Sequence, residues 1–451
     1  MLLQDLNGKT VCVLGYGKEG KATVKALEEY APESEITVAD KNDELQIANC
    51  KVQLGESYLH DLDRFDVIIK SPGIPPSIFA ICNLQSAILT NSTEIFLEEA
   101  AARGATVVGV TGSKGKSTTS TLIHEILKAG DKKSLLVGNI GEPAIEHVKD
   151  MDSNTARGEP QRTIFVLEMS SYQLMDCRSS PPIAVITTFF PEHLDYHAST
   201  GLSTGSTPLE TYKGAKMNIT RHQSEEDFVI FDGLSQGAKE IAMESAGKRI
   251  AAHAEDLPAE SMELKGEHNR RNAAIAFLTT RLLGIPERVS IPVIQNFRGL
   301  PHRLQSLGVH HGIEWIDDAI STTPESTIAA LDALGDNVTT IILGGQDRGN
   351  DFTALGKRIA QSNISTVILF PGSGPRIRKA IENAKASVNF LEAETMHDAV
   401  EQAQFSILNS QFSISPIVIL STASPSYGMF RNFEEKGDVF RRCIEGKNMV
   451  Q

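Results

Sequence analysis

Short apolar runs alternate with segments of helical periodicity along the chain, and this alternation occurs in three successive parts. In the first part, the apolar run Thr10–Leu14 is typical of a buried strand, and a helical pattern covers Lys21–Glu29 after a glycine turn. Ile36–Ala39 and Val67–Ile69 predict two more strands. Because strands alternate with a helix, we predict a parallel sheet covered by helices.

The second and third parts repeat this alternation. The second begins near residue 94, where the strand Thr106–Val110 leads into a glycine-rich loop and a helix from about Ser117. The third begins near Leu300. The further predicted strands are Thr163–Leu167, Ala184–Thr187, Thr339–Leu343, Thr366–Phe370 and Pro416–Leu420. We therefore predict an α/β protein with three domains. The predicted domain boundaries are 1–93, 94–299 and 300–451.

Composition and charge restrict the possible partners and the compartment. The formal net charge is -14 and the pI is near 5.4, which argues against a general nucleic-acid binder, because such proteins need a basic face. The five cysteines are scattered and no apolar run reaches about 18 residues, so we expect neither a disulfide framework nor a membrane span. The N-terminus lacks the basic start and apolar core of a signal peptide. We expect a cytoplasmic monomer that acts on small molecules.

The segment Thr111–Thr118 has the composition of a phosphate-binding loop between a strand and a helix. Gly112 and Gly115 let the backbone curl so that successive N–H groups point at a phosphate. Lys116 can place a positive charge on the β- and γ-phosphates, and Ser117 can place a hydroxyl on Mg²⁺. The glycine spacing differs from that of a standard Walker A loop. The alternative is a glycine–serine turn that binds nothing.

A second glycine turn, Gly15–Gly20, fits the G-x-G-x-x-G pattern and follows the first predicted strand. The acidic residue Asp40 ends the next strand, which completes a dinucleotide-binding fingerprint. The bound group need not be NAD, because a helix N-terminus accepts any pyrophosphate, that of UDP included. Ser71–Pro75 follows another strand and can form a second wall of the same crevice. The alternative is a tight turn without a ligand.

Two segments of the middle part carry groups that can hold a metal. Glu168 lies at the end of a buried strand, where a carboxylate opposite a phosphate loop can bind Mg²⁺, although a solvent-facing glutamate is the alternative. Pro191–His197 contains two histidines, and one of them is a candidate ligand, although isolated histidines are more often structural. From its chemistry alone, Lys216 is best interpreted as a solvated lysine.

Six segments carry further patterns in a fixed order along the chain. They are Thr111–Thr118, Glu168–Leu174, Glu192–Asp195, Gly266–Ala273, Phe297–Arg303 and Asn432–Gly437. Together they resemble the Mur ligase family, and most closely its glutamate-adding branch. The resemblance covers essentially the whole chain. It implies a Rossmann-like N-terminal domain, a central P-loop ATPase domain and a Rossmann-like C-terminal domain.

The resemblance implies an ATP-dependent ligase of peptidoglycan precursor synthesis. The carboxylate of UDP-N-acetylmuramoyl-L-alanine attacks ATP to give an acyl phosphate, and the amine of glutamate then displaces phosphate. It implies that the central and C-terminal domains bind ATP through Gly112, Ser113, Lys114, Gly115, Lys116, Ser117, Thr118, Asn272, Arg303 and Asp318. It implies that the UDP substrate is bound by Gly15, Gly17, Asp40, Gly73 and Asn139.

The remaining implied residues concern the metal, the chemistry and the acceptor. Two Mg²⁺ ions are implied, with ligands Ser117, Glu168, His193 and a carbamylated Lys216. The implied catalytic residues are Lys116, His193 and Lys216. The implied glutamate contacts are Thr322, Arg348, Ser426 and Phe433. A carbamate on Lys216 would convert an ammonium into a carboxylate-like ligand, which gives a reason for a lysine beside a metal.

The acceptor loop departs from the pattern of the branch. Asp317–Pro324 stands where many D-glutamate-adding members read close to N-D-S-K-A-T-N, so Ile320 replaces a lysine. Arg348 stands where lysine is common, and Thr188–Phe190 replaces an N-x-T pattern. The I-S-T-T-P sequence resembles a smaller branch that adds L-glutamate and leaves inversion to an epimerase. D-glutamate is the favoured acceptor, and L-glutamate is the alternative.

Three other functions compete with this one. A relative of folylpolyglutamate synthase is disfavoured, because those enzymes lack the N-terminal UDP domain. A nicotinamide-dependent oxidoreductase would use the N-terminal glycine turn and leave the phosphate loop without a role. A nucleotide-binding regulator without turnover is disfavoured because Lys116, Glu168, His193 and Lys216 are all present.

Overall fold

The computed structural model describes residues 1–75, 87–151, 162–192, 196–198, 206–264, 266–408 and 416–446. The chain divides into two units, residues 1–297 and 298–451. The described residues form three sheets, of which the first two belong to the first unit and the third to the second. The predicted α/β class is confirmed. The predicted boundary after residue 93 falls inside a helix, and the three-domain boundaries stay a prediction.

The N-terminal sheet is parallel and has the strand order β3-β2-β1-β4-β5. Its strands are β1 (Thr10–Leu14), β2 (Glu35–Asp40), β3 (Lys51–Leu54), β4 (Val67–Lys70) and β5 (Ile88–Thr90). The chain moves outward from β1 in one direction and then from β4 in the other. A crevice therefore opens at the carboxyl ends of these two strands, which is where ligands bind in open α/β sheets. The helices Lys18–Tyr30 and Ser92–Arg103 follow β1 and β5.

The central sheet is also parallel, with the order β11-β10-β9-β6-β8-β7. Its strands are β6 (Thr106–Thr111), β7 (Ser134–Gly138), β8 (Ile164–Glu168), β9 (Ile183–Ile186), β10 (Phe228–Asp232) and β11 (Lys248–Ala252). The associated helices are Lys116–Ala129, Ser171–Leu174, Pro208–Met217, Gln236–Ala242, Glu267–Leu282 and Glu287–Asn296. Every residue of β8 is buried, because helices cover the sheet.

The third sheet is mixed, with the order β12-β13-β17-β14-β15-β16. Its strands are β12 (Gln305–His310), β13 (Ile313–Asp317), β14 (Val338–Gly345), β15 (Thr366–Gly372), β16 (Asn389–Glu392) and β17 (Ile417–Leu420). The edge strand β12 pairs antiparallel with β13, and the other pairs are parallel. The helices are Pro324–Leu334, Thr353–Ala360, Gly374–Asn383, Met396–Leu408 and Phe433–Ile444.

Short 3-10 segments complete the described elements. They are Leu3–Leu6, Gly55–Ser57, Leu62–Arg64, Ala144–Met151, Ala254–Asp256 and Gly335–Asn337. None of the helices in the described ranges is both long and apolar enough to cross a membrane. The described cysteines Cys12, Cys50, Cys177 and Cys443 are free thiols, and Cys82 lies outside the described residues.

Candidate active site

The phosphate loop connects β6 to the helix Lys116–Ala129, as the sequence predicts. Gly112 has φ 151° and a Cβ there would collide with the hydroxyl of Thr187. Gly115 has φ 86° and a Cβ there would collide with the side-chain amide of Asn272. Both positions therefore require glycine, and the structure brings Asn272 against the loop. The curled backbone leaves a cradle at the helix N-terminus that suits a phosphate.

Two lysine side chains converge on the carbonyl of Gly112. Lys116 Nζ donates to the carbonyl oxygens of Gly112 and Ser113, at 2.9 Å each. Lys216 Nζ donates to the same Gly112 oxygen at 2.8 Å and approaches the hydroxyl of Thr111 at 3.3 Å. Lys216 belongs to the helix Pro208–Met217 and is only 1% exposed. The structure thus contradicts the interpretation of Lys216 as a solvated lysine and places it at the phosphate loop.

Burial lowers the pKa of Lys216 well below its usual value, and the charge of Lys116 lowers it further. The nearby carboxylates of Glu192 and Glu168 oppose this shift. A lysine with a lowered pKa is more often a neutral amine, and the neutral amine is the form that reacts with CO₂. The environment of Lys216 therefore fits the predicted carbamate, which itself stays a prediction.

Glu168 ends β8, directly beside the strand that leads into the phosphate loop. Its carboxylate is 1% exposed and accepts hydrogen bonds from the amide of Asn139 at 2.7 Å and from the hydroxyl of Ser120 at 3.4 Å. Ser117 lies on the first turn of the adjoining helix and is buried. A buried carboxylate next to a phosphate cradle fits a Mg²⁺ ligand.

The other predicted metal ligands are only partly described. His193 lies outside the described residues. Within the described part of the chain, no group of three or more histidine, cysteine, aspartate or glutamate side chains could hold a metal by itself. A complete Mg²⁺ site would therefore need Ser117, Lys216 or phosphate oxygens as well as Glu168. The predicted ligand set has this composition and stays a prediction.

The remaining loop residues are held by neighbours in the same unit. Ser113 Oγ contacts the phenol oxygen of Tyr212 at 2.9 Å and donates to the carbonyl of Phe190 at 2.7 Å. Lys114 forms an ion pair with Glu192 at 2.6 Å, and Thr118 is half-buried. Tyr212 was not predicted from the sequence. Its place four residues before Lys216 on one helix is the signal that could have revealed it.

The N-terminal glycine turn lies at the switch point of its sheet. Gly15 and Gly17 connect β1 to the helix Lys18–Tyr30, and Asp40 accepts a hydrogen bond from the backbone N–H of Tyr16 at 2.6 Å. Ser71, which follows β4, donates its hydroxyl to the carbonyl of Gly15 at 2.8 Å. The glycine turn and the segment Ser71–Pro75, which the sequence predicts as two walls of one crevice, are therefore in contact. Gly73 lies in the turn after Ser71. Asp40 supports the turn, and its contact with a ribose stays a prediction.

The segment Gly138–Gly141, at the end of β7, contacts both the N-terminal helix and Glu168 within the first unit. The ammonium of Lys18, at the start of the N-terminal helix, donates to the carbonyl of Gly141 at 2.7 Å. Asn139 in the same loop donates to Glu168 through its side chain. The phenol of Tyr196 also reaches back to the carbonyl of Pro72 at 3.0 Å. The predicted substrate contact Asn139 thus lies between the N-terminal turn and the candidate metal carboxylate.

In the second unit, a buried polar cluster lies at the carboxyl ends of β13 and β17. His302 Nδ1 lies 2.7 Å from the carboxylate of Asp317, and Asp318 accepts a hydrogen bond from the hydroxyl of Ser421 at 2.7 Å. Lys436 donates to the hydroxyl of Thr422 at 2.6 Å and is 1% exposed. Burial lowers the pKa of Lys436 to about 7, while Asp317 and Asp318 oppose the shift. Lys436 lies in the segment Asn432–Gly437, from which the sequence predicts no role for it.

The predicted ATP and glutamate contacts of the second unit lie in the connections after Leu300, β13, β14 and β17, and at the start of the helix Phe433–Ile444. Arg303 is exposed, and Asp318 is buried, which raises its pKa against the opposing charge of Arg303. The predicted glutamate contacts are Thr322, Arg348, Ser426 and Phe433. Arg348 is exposed after β14, whereas Ser426 is buried after β17. These roles stay predictions.

Comparison with known proteins agrees with this geometry. The model of the Mur ligase middle domain matches residues 110–280, and that of the Mur ligase glutamate ligase domain matches residues 302–411. A UDP-N-acetylmuramoyl-L-alanine–L-glutamate ligase from Salinispora tropica is 32% identical over 98% of this chain and 99% of that protein. The chain belongs to the Mur ligase family. A UDP-N-acetylmuramoylalanine–D-glutamate ligase from Streptococcus agalactiae serotype III is 33% identical over 98% of each chain.

Solved structures of Mur ligases share the fold of this Mur ligase at much lower identity. The MurF ligase from Thermotoga maritima, solved in complex with ADP, is 16% identical with a TM-score of 0.51, over 99% of this chain and 97% of that chain. UDP-N-acetylmuramate-alanine ligase from the same organism is also 16% identical with a TM-score of 0.51, over 98% of this chain and 100% of that chain. At 16% identity, this structural likeness supports the fold of the chain and says nothing of its substrates.

We predict that Asp318 makes the free energy of unfolding of this Mur ligase depend on pH. Burial raises the pKa of Asp318 from 3.8 to about 6, against the hydrogen bonds of Ser321 and Ser421. Between these two values the folded chain holds a proton that the unfolded chain releases, so stability falls as the pH rises from about 4 to 6. We expect Asp318→Asn to remove this loss, which amounts to at most about 3 kcal/mol.

Urea unfolding at pH 4 and pH 6 measures this difference. The chain has one tryptophan, Trp315, which is buried in the second unit, so its fluorescence reports on the unit that contains Asp318. Asp332→Asn is a matched control, because that carboxylate is exposed. An identical pH dependence in the wild-type and Asp318→Asn chains would contradict the prediction.

Proposed function

We propose that the protein is an ATP-dependent ligase that joins glutamate to UDP-N-acetylmuramoyl-L-alanine through an acyl phosphate. The observation that carries the proposal is the meeting of Lys116 and Lys216 at Gly112, close to the buried carboxylate of Glu168. Relatives that match 98% of the chain and are named glutamate ligases support the choice of reaction.

The chemical difficulty of the reaction is electrostatic repulsion. An anionic carboxylate must approach an anionic phosphate, so positive charge and hydrogen-bond donors must be in place before the attack. The N–H groups of the loop 112–118 bind the phosphates of ATP, and the ammonium of Lys116 turns from the loop carbonyls to the terminal phosphate. Asn272 lies against Gly115 and closes one side of the ATP site.

Mg²⁺ ions, when bound, would supply further positive charge at the phosphates, with Ser117, Glu168, His193 and carbamylated Lys216 as their ligands. The chain's own part is to hold these ligands in place. Asn139 orients the carboxylate of Glu168, and the Gly112 carbonyl orients the amine of Lys216. Carbamate formation joins the Lys216 nitrogen to the carbon of CO₂ and releases one proton.

The N-terminal crevice holds the UDP end of the substrate. The N-terminus of the helix Lys18–Tyr30 faces the pyrophosphate, and Gly15, Gly17 and Gly73 allow its close approach. Asn139 donates to Glu168, and Gly141, two residues on, accepts from Lys18; these two contacts support the proposed contact of Asn139 to the sugar. The substrates are small molecules, and we place the reaction in the cytoplasm with the protein as a monomer.

Glutamate binds in the second unit, with Arg348 and Ser426 as its main polar contacts. D-glutamate is the acceptor favoured from the sequence. L-glutamate is a second candidate, because the loop Ile320–Pro324 lacks a lysine and because the Salinispora tropica relative is named an L-glutamate ligase. The Streptococcus agalactiae relative, named a D-glutamate ligase, has nearly the same identity, so overall identity does not separate the two.

ADP release from the purified chain tests the proposal. With ATP, Mg²⁺ and UDP-N-acetylmuramoyl-L-alanine, we expect at most one ADP per enzyme from acyl phosphate formation, and repeated turnover only after glutamate is added. We expect one enantiomer to be preferred by about a hundredfold, because inversion moves a carboxylate away from its charged partner. The two enantiomers are compared side by side in kcat/KM. Absence of ADP with all substrates present would rule out the ligase, and equal use of both enantiomers would contradict the acceptor site. A requirement for NADH would favour an oxidoreductase.

A further inference from the structure

Ser426 carries a buried hydroxyl without a partner. Its side chain is 4% exposed, and its Oγ has no hydrogen-bond partner among the described residues. The backbone carbonyl of Ser426, in contrast, accepts from the N–H of Phe430 at 3.0 Å. Buried hydroxyls are almost always hydrogen-bonded, so one that the protein leaves unsatisfied is suited to a ligand.

Arg348 supplies the charge that such a ligand needs. Its Nε donates to the side-chain oxygen of Gln346 at 3.1 Å, which fixes one edge of the guanidinium. The guanidinium carbon lies 5.5 Å from the ring centroid of Tyr427. Neither Nη group has a hydrogen-bond or ion-pair partner in the described ranges of the chain. The outer edge of Arg348 is therefore available to a carboxylate.

Backbone and side-chain contacts hold the loop of Arg348 against the loop of Ser426. The N–H of Gln346 donates to the carbonyl of Pro425 at 2.9 Å, so the residues before Arg348 are tied to the residue before Ser426. On the other side, Arg376 donates to the carbonyl of Asn350 at 2.7 Å and pairs with Asp347. Two contacts therefore hold the Arg348 guanidinium, namely the hydrogen bond to Gln346 and the face of the Tyr427 ring.

We propose that Tyr427 is a positioning residue that determines acceptor specificity in this protein. Its ring holds the Arg348 guanidinium flat, so that both Nη groups meet one carboxylate of the acceptor while Ser426 bonds a second polar group. A planar guanidinium stacks on an aromatic face and binds a carboxylate with two parallel hydrogen bonds, and an ammonium does neither equally well. This inference rests on the proposed glutamate ligase function.

The expected result is a selective change in the binding of glutamate. We expect Tyr427→Leu to raise KM for the preferred glutamate enantiomer about two- to fivefold, the range of an exposed cation–π contact, with KM for ATP and kcat unchanged. Tyr427→Phe keeps the ring and should keep the wild-type KM. Tyr427 is 51% exposed, so neither substitution disturbs the core. Phe390→Leu removes a similar stack on Arg378 elsewhere in the unit and serves as a matched control.

A double-mutant cycle separates positioning from a general effect. In the Arg348→Lys background, we expect Tyr427→Leu to raise KM for glutamate less than in the wild-type background, because the planar guanidinium is already gone. An equal increase in both backgrounds, an unchanged KM in Tyr427→Leu alone, or a parallel increase in KM for ATP would overturn the inference. A wild-type chain without glutamate-dependent ADP release would instead overturn the proposed function, so the two failures are distinguishable.

Discussion

Replacing Lys116 with alanine is expected to lower the rate of ADP release by more than about a thousandfold. The ammonium of Lys116 lies on the carbonyls of Gly112 and Ser113, at the rim of the phosphate cradle. A cation placed where negative charge develops is among the largest single contributions to phosphoryl transfer. The measurement is ADP release at saturating substrates, with circular dichroism to confirm that the variant is folded.

Lys128→Ala is the matched control for this substitution. Lys128 lies on the same helix as Lys116, is exposed, and pairs with Glu125 far from the loop. We expect this variant to keep wild-type activity, so a general loss of helix stability would be recognised. Near-normal turnover in Lys116→Ala would be incompatible with the proposed role of the loop.

Replacing Lys216 with arginine is expected to lower turnover on the order of a thousandfold, because the proposed carbamate ligand of Mg²⁺ is lost and a bound metal ion stabilises developing charge by several kcal/mol. Arginine cannot form a carbamate and adds a permanent positive charge beside Lys116. The lowered pKa of Lys216 favours the neutral amine that CO₂ requires. Wild-type protein should therefore lose activity when CO₂ is removed and regain it with bicarbonate.

Carbon-13 NMR with labelled bicarbonate tests the same prediction independently of activity. We expect one carbamate resonance in the wild-type protein and none in Lys216→Arg. Lys213→Arg is the matched control, because Lys213 lies on the same helix and pairs with Glu240 instead of the loop. A full carbamate resonance in the Lys216→Arg protein would show that another lysine is modified.

The fold was predictable at many, but not all, of the strands that are continuous apolar runs, since the buried run Phe228–Asp232 was also missed. Thr10–Leu14 was predicted with its observed bounds, because a strand buried on both faces needs apolar residues at every position. The edge strand Gln305–His310 was missed, because its exposed side chains give no such run. The helix after the N-terminal turn begins at Lys18 rather than Lys21, since its polar first turn has no apolar periodicity.

The candidate site was predictable where its residues are close in sequence. Gly112, Gly115 and Lys116 form a local motif, and the structure places them in one cradle. The contact between Asn139 and Glu168 was not predictable, because it depends on the pairing of β7 with β8. The environment of Lys216 also depends on tertiary packing, since a lysine in a helix is ordinarily solvated. Sequence patterns identify such residues, while burial and partners assign their chemistry.

The segment Gly138–Gly141 fixes a distance that bears on the length of the substrate. Its Gly141 carbonyl accepts from Lys18 beside the N-terminal glycine turn, and its Asn139 amide donates to Glu168 beside the strand that leads into the phosphate loop. In the proposed reaction these two anchors fix how far the muramoyl arm can extend before its carboxyl group meets ATP. A precursor with a longer peptide would overshoot that point, and one without alanine would fall short. In the proposed reaction we therefore expect precursor length to be selected by this distance, whatever side chains the peptide carries.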